Sequence, residues 1–157
     1  MLNVSRFLIR LKKLQRVNLL GLDVGRRFIG LARADDVFGK YQISPIVQID
    51  KKMQNFISEI FKNASGIHGI VVGKSEFKNE MDKVIEDTVK MIENDIELPM
   101  VYWNEDYSTV KATEMLYKIR PRYGKSKFLI DQVAACVVLE DFIQYAQNAM
   151  PNLPDLL

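Results

Sequence analysis

Three acidic residues stand at places in this sequence where carboxylates could do chemistry. Asp23 interrupts the apolar run "LLGLDV", Glu105 follows the stretch "MVYWN", and Asp131 precedes the apolar run "QVAACVV". A charge inside an apolar strand is costly unless it is paired or binds a metal ion. Carboxylate oxygens are the ligands that Mg²⁺ prefers, and two such ions about 4 Å apart can promote phosphodiester hydrolysis. If the fold brings these acids together, they predict a metal-dependent nuclease site.

The apolar patterning predicts an α/β fold that could bring the three acids together. Three short apolar runs, "LLGLDV", "FIGLARA" and "YQISPIVQI", follow one another with Gly and Asp between them, which is typical of antiparallel hairpins. Helical and strand patterns then alternate. The helices are predicted over "MQNFISEIFKNAS", about residues 78 to 94 and "STVKATEMLYKI", and the strands over "IHGIVVG" and "LPMVYW". The order predicts a mixed five-stranded sheet, with three antiparallel strands and then parallel additions, flanked by helices.

A last helix, predicted over "DQVAACVVLEDFIQYAQNA", would begin at Asp131 and cover the sheet beside its first strand. In α/β sheets the reactive groups sit at strand ends. Asp23 is predicted to lie inside the first strand, and Glu105 is predicted to follow the last one. Asp131 at a helix start could be an N-cap, a metal ligand or both. Convergence of the three acids depends on this helix returning to the first strand.

Four segments, in order, resemble the YqgF family of ribonuclease H-like pre-16S ribosomal RNA nucleases, which are also described as Holliday junction resolvases. The segments are "GLDVGRRFIGLARAD", "GIVVG", "WNEDYSTVKATEML" and "IDQVAACVVLEDF", and the resemblance runs from about Leu19 to Tyr145. It implies that Asp23, Glu105 and Asp131 are the catalytic acids and hold Mg²⁺ or Mn²⁺. It also implies a ribonuclease H-like fold and a structured nucleic-acid substrate, with a ribosomal RNA precursor as the first choice.

Two segments depart from the pattern of that family. Its Asp-Glu-Arg segment reads Asn104, Glu105, Asp106 here, so an acid has become an amide and a cation has become an anion. The loop "GKSEFKNE" replaces the family's Leu-Pro and glycine-containing loop. Three functions therefore stay open: an RNA nuclease, a resolvase of four-way DNA junctions acting as a dimer, and a nucleic-acid-binding module with weakened catalysis.

Simpler structural roles compete with the functional ones. Asp23 could serve a turn, and Glu105 with Asp106 could be solvated charges at a strand end. Asp35 and Asp36 are predicted to be turn residues. The single histidine, His68, and the single cysteine, Cys136, are predicted to be structural, and one cysteine excludes an internal disulfide.

Basic residues cluster at two places, which matters because the net charge is only +2. Arg26 and Arg27 follow Gly25, whose missing side chain would let a phosphate backbone approach the turn. The segment "KIRPRYGKSK" has five cations, one aromatic residue and no acid, so it is either a phosphate-binding loop or a solvated connection. Its cations are Lys118, Arg120, Arg122, Lys125 and Lys127.

Length and composition indicate one ordinary domain of 157 residues with 48% hydrophobic residues and no run long enough to span a bilayer. We divide it into an N-terminal amphipathic basic helix (1–17), a nuclease domain (18–148) and a C-terminal tail (149–157). The first segment has five basic residues and no acid, and Phe7, Leu8, Leu11 and Leu14 are spaced to share one helical face. A packed helix and a cytoplasmic protein are favoured over an organelle transit peptide. The protein is expected to be a monomer or a homodimer.

Overall fold

The computed structural model describes residues 1–106, 111, 114 and 127–155, and of residues 127–131 only the backbone. In chain order the helices and strands are α1 Val4–Lys12, β1 Leu19–Val24, β2 Phe28–Asp35, β3 Gln42–Asp50, α2 Phe56–Lys62, β4 Gly69–Lys74, α3 Met81–Asp95, β5 Met100–Asn104 and α4 Lys127–Ala149. A short 3-10 turn, Met150–Asn152, follows α4. Within the described part of the chain, no helix is long and apolar enough to cross a membrane.

The five strands form one mixed sheet in the order β3-β2-β1-β4-β5. β1 to β3 pair as antiparallel neighbours, whereas β4 pairs parallel to β1 and β5 pairs parallel to β4. This confirms the predicted fold class and the predicted strand succession. Because β1, β4 and β5 run the same way, their carboxyl ends share one edge of the sheet, which we call the upper edge.

Each face of the sheet has its own apolar core. On one face, residues of α1 and α4 pack on β1, β2, β4 and β5; on the other, residues of α2 and α3 pack on the sheet. At Gly21 of β1, an added Cβ would lie 2.5 Å from Cγ of Leu139, so α4 packs directly on the backbone of β1. The first face, covered by α4, is called the α4 face below.

The last helix runs antiparallel to β1. Near its end, the Gln147 side-chain amide donates a hydrogen bond to the carbonyl of Val37 at 2.8 Å, and the Val37 amide donates to the carbonyl of Val17 just before β1. The helix therefore begins toward the upper edge. It begins at Lys127, so the prediction that Asp131 opens it was wrong, and Asp131 is not its N-cap. The extra turn includes Lys127, which the sequence pattern assigns to the basic loop.

The N-terminal segment forms the predicted amphipathic helix and belongs to the core. The Asn3 side chain caps it by accepting a hydrogen bond from the Arg6 amide at 2.9 Å. Phe7, Leu8 and Leu11 are at most 1% exposed, whereas Leu14 lies past the end of α1 and is 42% exposed, contrary to the predicted apolar face. The domain boundaries at residues 17 and 148 stay predictions.

The C-terminal tail docks on α1. Leu153 packs against the core of the α4 face, and Lys12 donates a hydrogen bond to the Leu153 carbonyl at 2.6 Å and pairs with Asp155. Of the helix predicted over "STVKATEMLYKI", only residues 111 and 114 are described, and both are helical. The rest of that prediction lies outside the described residues.

Candidate active site

Asp23 and Glu105 meet at the upper edge of the sheet. Asp23 is two residues past Gly21 on β1 and therefore points to the same α4 face. Glu105 directly follows β5, and its amide donates a hydrogen bond to the Lys74 carbonyl at 3.2 Å. The two carboxyl groups share a hydrogen bond, so the fold brings these two predicted site residues into contact.

Their contact perturbs the ionisation of Glu105. Burial raises the pKa of Glu105 above its ordinary 4.5, the hydrogen bond with Asp23 opposes that rise, and the negative charge of Asp106 adds to it. A hydrogen bond between two carboxyl groups requires a proton on one of them, because two carboxylates repel each other at this range. A cation placed between the oxygens would relieve that repulsion.

Gly73 of β4 provides the space that Glu105 occupies. A Cβ added at Gly73 would lie 2.8 Å from Oε2 of Glu105, 3.1 Å from its Cβ and 3.1 Å from Cγ2 of Val138. The carboxyl of Glu105 thus lies against the strand backbone beside α4. Sequence reasoning did not identify Gly73 as part of the site, although the letters "GIVVGK" place a glycine at the end of a predicted strand.

The two segments that depart from the family pattern contact each other. Ser75 donates its hydroxyl proton to Oδ1 of Asp106 at 2.6 Å, and the Asn104 side-chain amide donates to Oε2 of Glu76 at 3.4 Å. The other oxygen of Asp106, Oδ2, is buried without a hydrogen-bond partner. Glu105 and Asp106 are both partly buried, so they are not simply solvated charges. The loop after β4 and the segment after β5 form one connected rim beside Asp23.

Asp131 lies in the described helix α4, but its side chain is outside the described residues. Its position is one helical turn before Ala135, whose carbonyl oxygen would be 3.0 Å from a Cβ at Gly21. The backbone at Asp131 is therefore displaced from Gly21 toward the upper edge, as Asp23 is. Among side chains that are described, no three of His, Cys, Asp or Glu are grouped closely enough to hold a metal ion.

The turn between β1 and β2 has a basic surface beside the acids. The Gly25 amide donates to the Phe28 carbonyl at 2.8 Å, which closes the turn. Arg26 has 60% of its side chain exposed and approaches Glu80 at 3.7 Å. Arg27 lies 3.1 Å from Asp50 and holds the pKa of that carboxyl below its usual range, and its guanidinium stacks on Phe28.

Lys51 and Lys52 extend this basic surface and were missed by the sequence reasoning. Lys51 is partly buried and donates a hydrogen bond to the Gly25 carbonyl at 3.0 Å, and burial lowers the pKa of its ammonium. Lys52 is exposed. Because β3 runs antiparallel to β2, its end reaches the upper edge, and the "KK" pair after a predicted third strand was the available signal.

The remaining candidates have structural roles or lie outside the described residues. His68 accepts a hydrogen bond at Nδ1 from the Asn18 amide at 3.0 Å, and burial raises the pKa of the Cys136 thiol to about 12, which fits structural roles. Asp36 has a left-handed backbone with φ of 55° after β2, as suits a turn residue. Of the predicted phosphate-binding cations in the basic loop, Lys118, Arg120, Arg122 and Lys125 lie outside the described residues, and of Lys127 only the backbone is described.

Proteins with similar sequences match most of the length of this chain. A protein of Desulforamulus reducens named "Putative pre-16S rRNA nuclease" is 31% identical over 134 residues, covering 81% of this chain and 96% of that protein. A protein of Bacillus mycoides with the same name is 29% identical over 135 residues, covering 81% of this chain and 98% of that protein. The length of these matches indicates that the likeness extends over the domain and not over one motif alone.

Solved structures share the fold at low sequence identity. The fowlpox virus Holliday junction resolvase matches with a TM-score of 0.57 and 13% identity, over 82% of this chain and 99% of that one. T. thermophilus RuvC in complex with a Holliday junction substrate matches with a TM-score of 0.51 and 11% identity, over 83% and 98%. These likenesses show the ribonuclease H-like fold.

A family profile described as "RuvX: Holliday junction resolvase" matches residues 17–145. The chain therefore belongs to the RuvX family of Holliday junction resolvases.

Proposed function

We propose that this protein is a metal-dependent nuclease that hydrolyses phosphodiester bonds in structured nucleic acid, with a precursor of 16S ribosomal RNA as its substrate. The observation that carries the proposal is the contact between the carboxyl groups of Asp23 and Glu105 at the upper edge. Paired acids in this position are suited to a divalent cation and serve no evident purpose in the core. The names of the relatives from Desulforamulus reducens and Bacillus mycoides support the choice of RNA.

The donor set fits Mg²⁺ or Mn²⁺. Asp23 and Glu105 offer carboxylate oxygens, which these hard cations prefer. Asp131 is proposed as the third ligand from its backbone position on α4. When bound, divalent ions supply activation of the attacking water and stabilisation of the leaving oxygen. The contribution of the protein is to fix these oxygens: Glu105 is held against Gly73 by the close packing there.

The basic surface beside the acids is proposed to bind the substrate backbone. Arg26 and Lys52 are exposed cations, and Lys51, next to Lys52 in the chain, donates a hydrogen bond to the Gly25 carbonyl at 3.0 Å. Phosphate contacts of this kind orient a nucleic acid without reading its sequence and weaken as salt rises. The cations of the segment 118–127 are proposed to make further contacts with the phosphates of the substrate.

The test is cleavage of an end-labelled small-subunit ribosomal RNA precursor in Mg²⁺ or Mn²⁺, with a four-way DNA junction in parallel. We expect RNA cleavage by the wild type that is abolished by EDTA and lowered about 10³-fold by Asp23→Asn. The substitution Asp35→Asn is the matched control, because Asp35 ends β2 at the opposite edge of the sheet and should leave cleavage unchanged. RNA that stays intact under all metal conditions would contradict the proposal.

A junction resolvase is the second candidate, and the description of the matching family favours it. Resolution of a four-way junction cuts two strands, so it would require a dimer that presents two sites. Cutting of the DNA junction alone, by a dimeric protein, would replace the RNA proposal with this one. Salt-dependent binding of RNA without any cleavage would instead indicate a nucleic-acid-binding module.

A further inference from the structure

The loop that connects β4 to α3 carries an aromatic side chain that the folded chain leaves almost uncovered. Phe77 is 72% exposed, more than any other exposed large hydrophobic side chain in the described part of the chain. Phenylalanine is ordinarily buried because its apolar surface is costly to leave in water. A single exposed apolar residue is not by itself a site, so its significance depends on where it stands and on what holds it there.

Hydrogen bonds attach the loop to the acids of the candidate site. The Phe77 amide donates to Oγ of Ser75 at 3.2 Å, and the Ser75 hydroxyl in turn donates to Asp106 at 2.6 Å. Glu76 accepts a hydrogen bond from Asn104 at 3.4 Å. Two successive hydrogen bonds therefore link the backbone nitrogen of Phe77 to the carboxylate of Asp106 through the Ser75 hydroxyl. Asp106 is the neighbour of Glu105, so Phe77 stands at the rim of the proposed active site.

One exposed cation stands next to Phe77 in the chain. The loop also carries two acids, of which Glu76 accepts a hydrogen bond from Asn104 and Glu80 approaches Arg26 at 3.7 Å. Lys78 is exposed directly beside Phe77. An exposed aromatic ring next to a cation is the combination with which proteins bind unpaired nucleotides, since the ring stacks on a base while the cation approaches a phosphate.

We propose that Phe77 is a base-stacking residue of the nuclease, which packs against an unpaired or unstacked nucleobase next to the bond that is cut. The inference rests on the proposed function and makes it more specific: the substrate would have to present at least one splayed base at the site. Stacking on an aromatic ring is largely independent of base identity. An unpaired base in a structured RNA and a base at the crossover of a DNA junction both satisfy it.

The test uses fluorescence of 2-aminopurine, an adenine analogue whose emission is quenched by stacking, in the full-length Asp23→Asn protein so that the probe is not cut. One probe is an RNA hairpin with a single unpaired 2-aminopurine, the second is a four-way DNA junction with the analogue at the crossover, and the third is an RNA duplex with the analogue fully paired. With phenylalanine at position 77, we expect quenching of an unpaired probe beyond that of the paired one. The probe that responds, RNA or DNA, identifies the source of the base.

Substitutions at two exposed phenylalanines separate stacking from general apolar effects. Phe77→Ala should weaken binding of the responsive probe about ten-fold and remove the quenching, and Phe77→Trp should retain both. Phe61 is the matched control: it is 61% exposed but lies in the last turn of α2. Phe61→Ala should leave binding and quenching unchanged.

Three outcomes would overturn the inference. If the parent protein binds the probes but Phe77→Ala binds and quenches equally well, Phe77 does not stack and the nuclease proposal is untouched. If Phe77→Leu matches the parent, the contact is apolar without stacking. If the parent protein binds neither RNA nor DNA, both the stacking and the proposed function fail together.

Discussion

The two ends of β4 use the same structural device for different purposes. Gly69 at its start and Gly73 near its end lie on the α4 face, and each makes room for a side chain from another element. At Gly69, the lower end, that side chain is Phe7, whose ring atom Cζ would be 2.7 Å from an added Cβ. At Gly73, the upper end, it is Glu105, whose Oε2 would be 2.8 Å away. Gly69 makes room for the ring of Phe7 in the apolar core, and Gly73 makes room for the carboxylate of Glu105 at the proposed site.

The surroundings explain why the two ends differ. Phe7 packs edge-on against Phe142 at 5.6 Å between ring centroids, and Phe142 packs edge-on against Trp103. This end gains stability from apolar burial. At the other end, the contact of Asp23 with Glu105 places two acids together, which opposes folding unless a proton or cation is shared. The apolar packing at the lower end therefore raises the free energy of unfolding, whereas the contact between two acids at the upper end lowers it.

The largest effect is expected from Asp23→Asn at the upper end. It should reduce cleavage by about 10³-fold, because metal-assisted chemistry contributes several kcal/mol to the barrier and this change removes a proposed ligand. Stability should not fall, since the change relieves a contact between two acids. Initial cleavage rates and urea unfolding in EDTA measure the two quantities. A large drop in the free energy of unfolding would mean that Asp23 is a structural residue.

The next effect is expected from Phe7→Ala at the lower end. Truncation of a fully buried phenylalanine leaves a cavity and should lower the free energy of unfolding by about 3–5 kcal/mol. Leu14→Ala is the control, and because Leu14 is 42% exposed it should change stability by less than about 0.5 kcal/mol. Urea denaturation of both variants measures this. Equal, small effects would show that α1 is not part of the cooperative core.

Alanine at each glycine of β4 tests the two ends side by side. Gly69→Ala should cost about 1–3 kcal/mol, because the added Cβ collides with the packed ring of Phe7. Its cleavage rate per folded molecule should not change. Gly73→Ala should instead lower cleavage by roughly ten-fold, because it displaces the Glu105 carboxyl, and a misplaced catalytic group is costly. Unfolding curves and initial rates are measured on both variants, and identical profiles would contradict the difference between the two ends.

The smallest effect is expected at the basic surface of the upper edge. The double change Arg26→Gln and Lys52→Gln should weaken nucleic-acid binding a few-fold and lower the slope of log Kd against log salt by roughly one for each phosphate that is no longer bound. Lys40→Gln is the control, because Lys40 is exposed in the turn between β2 and β3 at the opposite edge. Titrations at several salt concentrations measure the slope. A slope that falls equally in both variants would argue against a localised grip.

Much of the fold could be predicted from local patterns. The five strands were found within one or two residues of their bounds because their apolar runs are short and are separated by Gly and Asp, which interrupt strands. The start of α4 was missed. Asp131 is a favourable N-cap type, yet the helix continues back to Lys127, because local capping preference is weak compared with the rest of a long, packed helix.

The number and order of the strands, and the acids at the ends of β1 and β5, could be read from the sequence, since strand patterns and side-chain chemistry are local. The contacts that build the site could not: Asp23 shares a hydrogen bond with Glu105, Gly73 makes room for that carboxyl, and Lys51 holds the Gly25 turn. Those contacts join residues far apart in the chain. They follow from the parallel pairing of β1, β4 and β5 and from the packing of α4 across them, which no local pattern specifies.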